Sequence, residues 1–179
     1  MRIYTRKGDD GTTGLYLGGR VRKDSAAVAA CGAVDEAQAF LGLARSEAVP
    51  GSELDELLVA LERDLWVLMA DLATGEGNRP RLEPGRSLVT AEMVSALERR
   101  IDDLSTRFVP PAEFAVPGQT RVAALLDVAR TVVRRAERLT LDAAAEGSLA
   151  VPYLNRLSDL LWTMARWQED VFLPARDAS

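Results

Sequence analysis

Arg130, Arg134 and Arg138 stand four residues apart in the run Ala129-Arg130-Thr131-Val132-Val133-Arg134-Arg135-Ala136-Glu137-Arg138. At 3.6 residues per turn they share one side of a helix, with Glu137 on the same side. Ala129, Val132, Val133, Ala136 and Leu139 fall on the other side, toward a core. Guanidinium forks match phosphate and carboxylate oxygens two at a time, so this face could hold a polyphosphate. Read on its own it could equally be a solvated face laced with ion pairs.

A second stripe, Asn155, Asp159, Trp162 and Arg166, repeats the pattern on the last helix. Asn and Asp have low helical propensity, so they stand where Ala or Glu would be more stable. Either a polar surface or an ion pair to an arginine of the preceding helix would account for them. Asp35-Glu36 is an acidic patch or a counter-charge for arginines. Near the N-terminus, Thr5-Arg6-Lys7-Gly8-Asp9-Asp10-Gly11-Thr12-Thr13-Gly14 is rich in glycine. Its amides could approach phosphate oxygens, with Lys7, Arg20 or Lys23 neutralising charge. Gly14 to Gly19 has Walker glycine spacing, but Arg20-Val21 replaces the required Lys-Ser/Thr. A glycine-rich surface hairpin fits the same residues. The sequence has no histidine, which excludes Ser-His and Cys-His nucleophiles and His-ligated metals.

Five helices must position these groups. The spacing predicts them over about 25–46, 52–74 (capped by Ser52), 90–108 (capped by Thr90), 119–146 (stopped by Gly147) and from Pro152 to about 172. Leu54, Leu57, Leu58, Leu61, Leu65, Leu68 and Leu72 give the second a core stripe. Extended pieces are expected at most around 3–5 and 15–17. The connection Gly75–Val89 reads as a mobile surface loop, and Pro110, Pro111 and Pro117 surround an isolated Phe114. The expected fold is all-α: a five-helix antiparallel bundle of ferritin-like type with a glycine-rich N-terminal loop, one domain over 1–179.

Composition bounds the partners. The 179 residues are 47% hydrophobic and 27% charged, with net charge −5, as expected of a soluble globular chain. That balance argues against nucleic acid as a partner and, with a local arginine cluster, for a small anionic ligand. Cys31 is the only cysteine, which leaves no disulfide or thiolate-rich metal site, and its small neighbours suit a buried thiol. No run reaches the roughly 18 apolar residues of a membrane span. Met1-Arg2-Ile3-Tyr4 lacks the apolar core of a signal peptide, so a cytoplasmic protein is expected.

Four separated segments resemble the PduO-type ATP:cob(I)alamin adenosyltransferases. They are Ile3 to Thr13 running on to Arg22-Lys23-Asp24; Gly32-Ala33-Val34-Asp35-Glu36; Phe114-Ala115-Val116-Pro117-Gly118 with the arginine helix; and Asn155-Arg156-Leu157-Ser158-Asp159 through Arg166. The resemblance implies a homotrimer of bundles with active sites between subunits, residues 1–24 folding over ATP and 25–173 forming the bundle. It places Thr5, Arg6, Lys7, Gly8, Thr13, Lys23, Arg134, Arg135, Glu137, Arg138 and Asn155 on the nucleotide, which carries Mg²⁺. Metal ligands stay unassigned. Asp159 and Glu137 are expected to position arginines or metal. Asp35 and Arg130 are expected to pair across the subunit interface, and Phe114 to sit against the lower face of the corrin ring, where it displaces the lower axial ligand.

The implied reaction moves the 5′-deoxyadenosyl group of ATP to cob(I)alamin, giving adenosylcobalamin and triphosphate. A corrinoid reductase and an adenosylcobalamin-dependent enzyme are the implied partners. An adenosylcobalamin carrier is the alternative, and a nucleotide-binding regulator a weaker one. Asp127 stands where relatives commonly carry His, on the arginine side one turn before Arg130, where it could form a local ion pair. Phe172 is a candidate second aromatic on the corrin.

Overall fold

Apolar periodicity and side-chain caps fix where most of the helices begin. The computed structural model describes residues 3–111, 113–169 and 171–176; Met1 and Arg2, the start of the expected nucleotide segment, lie outside them. Five α-helices follow a small hairpin: α1 (Ala26–Arg45), α2 (Glu53–Leu72), α3 (Ala91–Ser105), α4 (Arg121–Thr140) and α5 (Ala150–Trp167). Ser52 caps α2 by accepting from the Asp55 amide at 3.3 Å, and Glu53, Asp55 and Glu56 place negative charge at its positive end. Thr90 caps α3 from Met93 at 3.3 Å, and Thr120 caps α4 from Ala123 at 3.1 Å. Pro152 falls in the first turn of α5, where its missing N–H has no helical partner to lose.

The helices pack in the lateral order α2, α1, α4, α5, α3, so α4 is flanked by α1 and α5. Alanines carry the α1–α4 seam. Ala30, Ala33 and Ala37 of α1 and Ala129 and Ala136 of α4 are buried, and their size lets the backbones approach closely. The predicted leucine stripe of α2 is buried in full. Each fully buried leucine contributes about 2 kcal/mol over leaving it in water. On α5, Leu154, Leu157, Leu161 and Met164 are completely buried. Leu139, expected on the core side of α4, is instead 38% exposed, because the bundle ends there.

Several expectations change, the fifth helix among them, which ends at Trp167 and not near 172. The fourth helix stops at Thr140, not near 146. Thr140 is buried, its carbonyl accepts from both the Ala143 and Ala144 amides, and the chain turns toward α5 there. Gly147 (φ 75°) lies in that connection, well past the helix end. Strands form at β1 (Thr12–Gly14) and β2 (Arg20–Arg22), antiparallel, whereas residues 15–17 make the turn between them, with Leu17 at φ 60°.

The 75–89 connection is anchored: it contains a 3-10 helix, Glu76–Arg81, and buries Leu82, Ser87 and Val89. Arg79 pairs at 2.8 Å with Asp71, which is 1% exposed and also accepts from the Val89 amide at 3.2 Å. Finally, α1 is long and apolar enough to cross a membrane by length and composition. Asp35, Glu36 and Gln38 interrupt it, and its Ala30 to Ala44 stripe packs inside the bundle.

Candidate active site

Two clusters lie along α4. The first is a cavity of about 640 Å³ over its N-terminal half, closed by α5 and by the segment around Phe114. Asp127, Arg130, Trp162 and Arg166 form one wall, Phe114 and Pro117 the other. The Phe114 segment is held by backbone pairing with the chain beyond α5. The Val116 amide donates to the Leu173 carbonyl at 2.8 Å, and the Ala175 amide to the Phe114 carbonyl at 2.7 Å. The Phe114 ring itself is 89% exposed at the cavity mouth. An apolar ring with no ligand atom, left unburied at a cavity, suits contact with a large flat ligand. Phe172 is not part of this wall. It packs edge-on against Phe108 (6.2 Å between centroids) beside Trp167, in a separate cleft. Trp162 is the second aromatic of the Phe114 cavity.

Beneath the cavity runs a buried charge network. Asp127 accepts from Arg130 Nε at 3.0 Å and from Arg166 Nη2 at 2.7 Å. Arg166, 1% exposed, also donates to Glu169 at 3.0 Å. Its Nε lies 2.7 Å from the second Glu169 oxygen, an ion pair though misaligned for a hydrogen bond. Two guanidiniums thus meet two carboxylates, so the buried charge sums to zero. The stripe from Asn155 to Arg166 is therefore not one surface: Asp159 is exposed while Arg166 is core.

The second cluster lies one and two turns further along α4, about 6 and 12 Å beyond Arg130 by helical rise. Arg134 and Arg138 are exposed there, and neither has an ion pair among the described residues. Arg138 donates only to the Arg134 carbonyl at 3.0 Å. Their neighbours are committed. Arg135 pairs with Glu36 of α1, and Glu137 accepts from Asn155 Nδ2 at 2.8 Å, joining α4 to α5. Asp159 faces Arg156 of its own helix at 3.5 Å, not an arginine of α4. Asp35 is exposed and makes no ion pair among the described residues; Arg130 is held by Asp127 instead.

The N-terminal hairpin rests on the same end of the bundle. Tyr16 N donates to the Ala73 carbonyl at 2.9 Å, and Arg81 and Asn78 reach the Leu17 and Gly18 carbonyls at 3.2 and 3.5 Å. The α4–α5 connection reaches that end too, since Ser148 Oγ donates to Asp71 at 3.5 Å. Arg20 is spent inside the hairpin, donating to the Lys7 carbonyl and to Thr12 Oγ1 at 2.5 Å each. Lys7 and Lys23, like Arg6, have no ion pair among the described residues, so they are cations open to a ligand. A Cβ on Gly8 would stand 3.1 Å from the Thr12 carbonyl oxygen and 3.2 Å from Lys23 Nζ, so a side chain there would push the turn or Lys23 aside by a few tenths of an ångström. The Arg6 backbone is left-handed (φ 61°) and its guanidinium lies 5.6 Å from the Tyr4 ring. Thr5 Oγ1 accepts from the Lys7 amide at 3.4 Å, and Thr13 is half-buried in β1. No hydrogen bond or ion pair joins Thr5, Arg6, Lys7, Gly8, Thr13 or Lys23 to the second arginine cluster within the chain.

Residues 3–168 match the family described as Cobalamin adenosyltransferase. The chain belongs to that family. Among relatives, a corrinoid adenosyltransferase of Mycobacterium tuberculosis is 41% identical over 170 residues, covering 92% of this chain and 87% of its own. One from Citrobacter freundii is 40% identical over 171 residues, covering 94% and 95%. Among solved structures, a phenylalanine-to-histidine variant of the PduO-type ATP:corrinoid adenosyltransferase from Lactobacillus reuteri, complexed with cobalamin and ATP, superposes with TM-score 0.87. It is 28% identical and covers 98% of this chain and 97% of its own. An arginine-to-lysine variant of that enzyme, complexed with ATP, gives 0.84. The family, the helical fold and the enzyme class expected from the four sequence segments are thereby borne out. Sequence reading missed Arg166 and Glu169 as members of the site's floor, because burial of a charged residue leaves no periodic signal when it continues a polar stripe.

Proposed function

We propose that the chain transfers the 5′-deoxyadenosyl group of ATP to cob(I)alamin, giving adenosylcobalamin and triphosphate. The observation that carries this reading is the pairing along one helix of a Phe114-lined cavity with two guanidiniums, Arg134 and Arg138, that meet no carboxylate among the described residues. The corrin occupies the cavity and the triphosphate the guanidiniums, so cobalt and the ATP 5′ carbon meet between them. Cobalt(I) supplies the electron pair for the new Co–C bond, and the C–O bond breaks with its pair leaving on triphosphate. No proton moves, which fits a chain without histidine. The protein's work is alignment and stabilisation of charge on the leaving group.

Lys7, Lys23, Arg134 and Arg138 balance that charge, with Thr5, Arg6, Gly8 and Thr13 shaping the loop over the nucleotide. Arg135, Glu137 and Asn155, committed to contacts that join α4 to α1 and α5, fix the geometry beside the Arg134 and Arg138 guanidiniums on the nucleotide side. Mg²⁺ bound to ATP would withdraw charge from the phosphates. Among the described residues no three acidic or thiol groups converge to make a cage. Glu137, one turn beyond Arg134, next to Arg138 and spending one oxygen on Asn155, is the carboxylate that would complete with water the shell of an ion delivered with its phosphates. Within one domain, residues 1–24 form the nucleotide segment and 25–173 the bundle.

The same reading makes the working unit a trimer in the cytoplasm, with Asp35 of one subunit meeting Arg130 of the next. Two observations support it. The hairpin and the α4 arginines share an end of the bundle with no hydrogen bond or ion pair between them among the described residues, as halves of a site shared between copies would. The most apolar stretch of α1 is only 28% buried, leaving Ala29, Gly32 and Leu43 on an outer face that a second copy could cover.

An anaerobic assay with chemically reduced cobalamin, Mg²⁺ and ATP tests the activity by loss of the Co(I) spectrum and appearance of light-sensitive adenosylcobalamin. Arg134→Ala should lower turnover on the order of 100-fold, the loss of one or two charge-assisted hydrogen bonds. It should leave thermal stability intact, since Arg134 is exposed and pairs with no carboxylate among the described residues. Absence of wild-type turnover together with tight adenosylcobalamin binding would make the chain a carrier.

A further inference from the structure

We infer that Asp127 is a positioning residue for the corrin side of the site, acting through Arg130. The inference rests on the adenosyltransferase reading of the cavity. Asp127 is 5% exposed and divides its two oxygens, Oδ1 to Arg130 Nε (3.0 Å) and Oδ2 to Arg166 Nη2 (2.7 Å). Arg166 is locked in turn by Glu169 and by the core around it, so Oδ2 has a rigid anchor. The other oxygen meets a guanidinium that has freedom to lose: the Arg130 side chain is 27% exposed and lines the cavity.

Asp127 occupies only the Nε edge of Arg130. The two terminal nitrogens hold no hydrogen bond among the described residues, and they remain for whatever meets Arg130 at the cavity. A guanidinium fixed at one edge by an anchored carboxylate is pre-organised, so less rotamer entropy is lost when its outer edge engages. Without that carboxylate, Arg130 would swing among rotamers, and the network would carry one uncompensated positive charge. The second guanidinium cluster does not depend on this contact, since Arg134 and Arg138 share no partner with Asp127. Asp127 therefore discriminates between the two substrates: it acts on cobalamin and not on ATP.

The test is the kinetic comparison of wild type, Asp127→Asn, Arg130→Ala and the double variant in the anaerobic Co(I) assay, with both KM values measured. Asp127→Asn should raise the cobalamin KM on the order of tenfold, as for loss of a hydrogen bond to a charged group, and leave the ATP KM unchanged. Adding Asp127→Asn to Arg130→Ala should change nothing further, because a residue that acts through another is silent once that other is gone. Wild-type kinetics in Asp127→Asn, an equal rise in both KM values, or the same fold-loss on the Arg130→Ala background would each overturn the inference while leaving the activity in place. A wild-type chain without turnover would remove the activity reading and this inference with it. Should Asp127→Asn fail to fold, Arg130→Lys keeps the charge but loses the Nε donor. It must then show the same split between the two KM values, and its failure to do so overturns the inference.

Discussion

Replacing Arg166 by Met should destabilise the protein far more than any substitution on the exposed arginine face. Arg166 is 1% exposed and compensates two buried carboxylates. After its loss Asp127 keeps Arg130, but Glu169, 6% exposed, keeps no other ion pair or side-chain hydrogen bond among the described residues. The network then carries one uncompensated negative charge. Breaking a buried pair from one side costs about 3–5 kcal/mol, and the surviving Asp127–Arg130 contact argues for the lower end, about 3 kcal/mol. In a domain of this size each kcal/mol moves the melting temperature by roughly 2–4 °C, so a fall of about 6–12 °C is expected.

The double variant Arg166→Met/Glu169→Leu removes both charges. Its network is again neutral, and it should recover to within about 1 kcal/mol of wild type. Thermal denaturation at one fixed protein concentration measures both, since assembly would make the midpoint concentration-dependent. If Arg166→Met melted within about 2 °C of wild type, or the double variant were no more stable than the single, the argument from uncompensated buried charge would be wrong.

Other outcomes follow from exposure. Phe114→Ala should leave stability within about 0.5 kcal/mol, because the ring is 89% exposed. It should raise the cobalamin KM about 10- to 100-fold, the loss of one apolar side chain buried by the ligand, and lower the four-coordinate fraction in the cob(II)alamin spectrum with ATP. Burial, and next the Asp35 charge, push the Cys31 thiol up to about 11. At pH 8, three units below, roughly one thiol in a thousand is ionised, so a disulfide reagent should label the native protein far more slowly than the denatured one. The raised value favours the protonated folded state. Its stabilising contribution is complete below the ordinary thiol value of 9.0 and disappears as pH rises toward about 11. Fast labelling at pH 8 would contradict this placement of Cys31.

Much of the fold was readable because its signals are local. The caps Ser52 and Thr90 and the leucine stripe of α2 each depend on residues within a turn or two of themselves. The same holds for the face of α4 that carries Arg130, Arg134 and Arg138, since helical period alone sets it. Departures occurred where partners are distant in sequence. The 75–89 connection reads as mobile from its prolines and glycines, yet Asp71, on α2, clasps Arg79 and the Val89 amide. Helix α4 reads longer because Ala143 to Ala145 are good helix formers, but the chain has to turn at the bundle's end to enter α5.

The site divides in the same way. Sequence determined which residues could act: the arginine spacing, the glycine-rich loop, the isolated Phe114 and the absence of histidine are properties of order and type. Tertiary structure decided which arginines are free. Among the described residues Arg134 and Arg138 have no ion pair, whereas Arg135 is bound to Glu36 across the α1–α4 seam and Arg20 is consumed in its own hairpin. It also decided that Arg166 and Asp127 belong to the floor of the cavity, because one turns into the core from α5 and meets the other on α4. An arginine's chemistry depends on which carboxylate lies within about 4 Å, and that distance is fixed by how helices pack, not by where the residue falls in the chain.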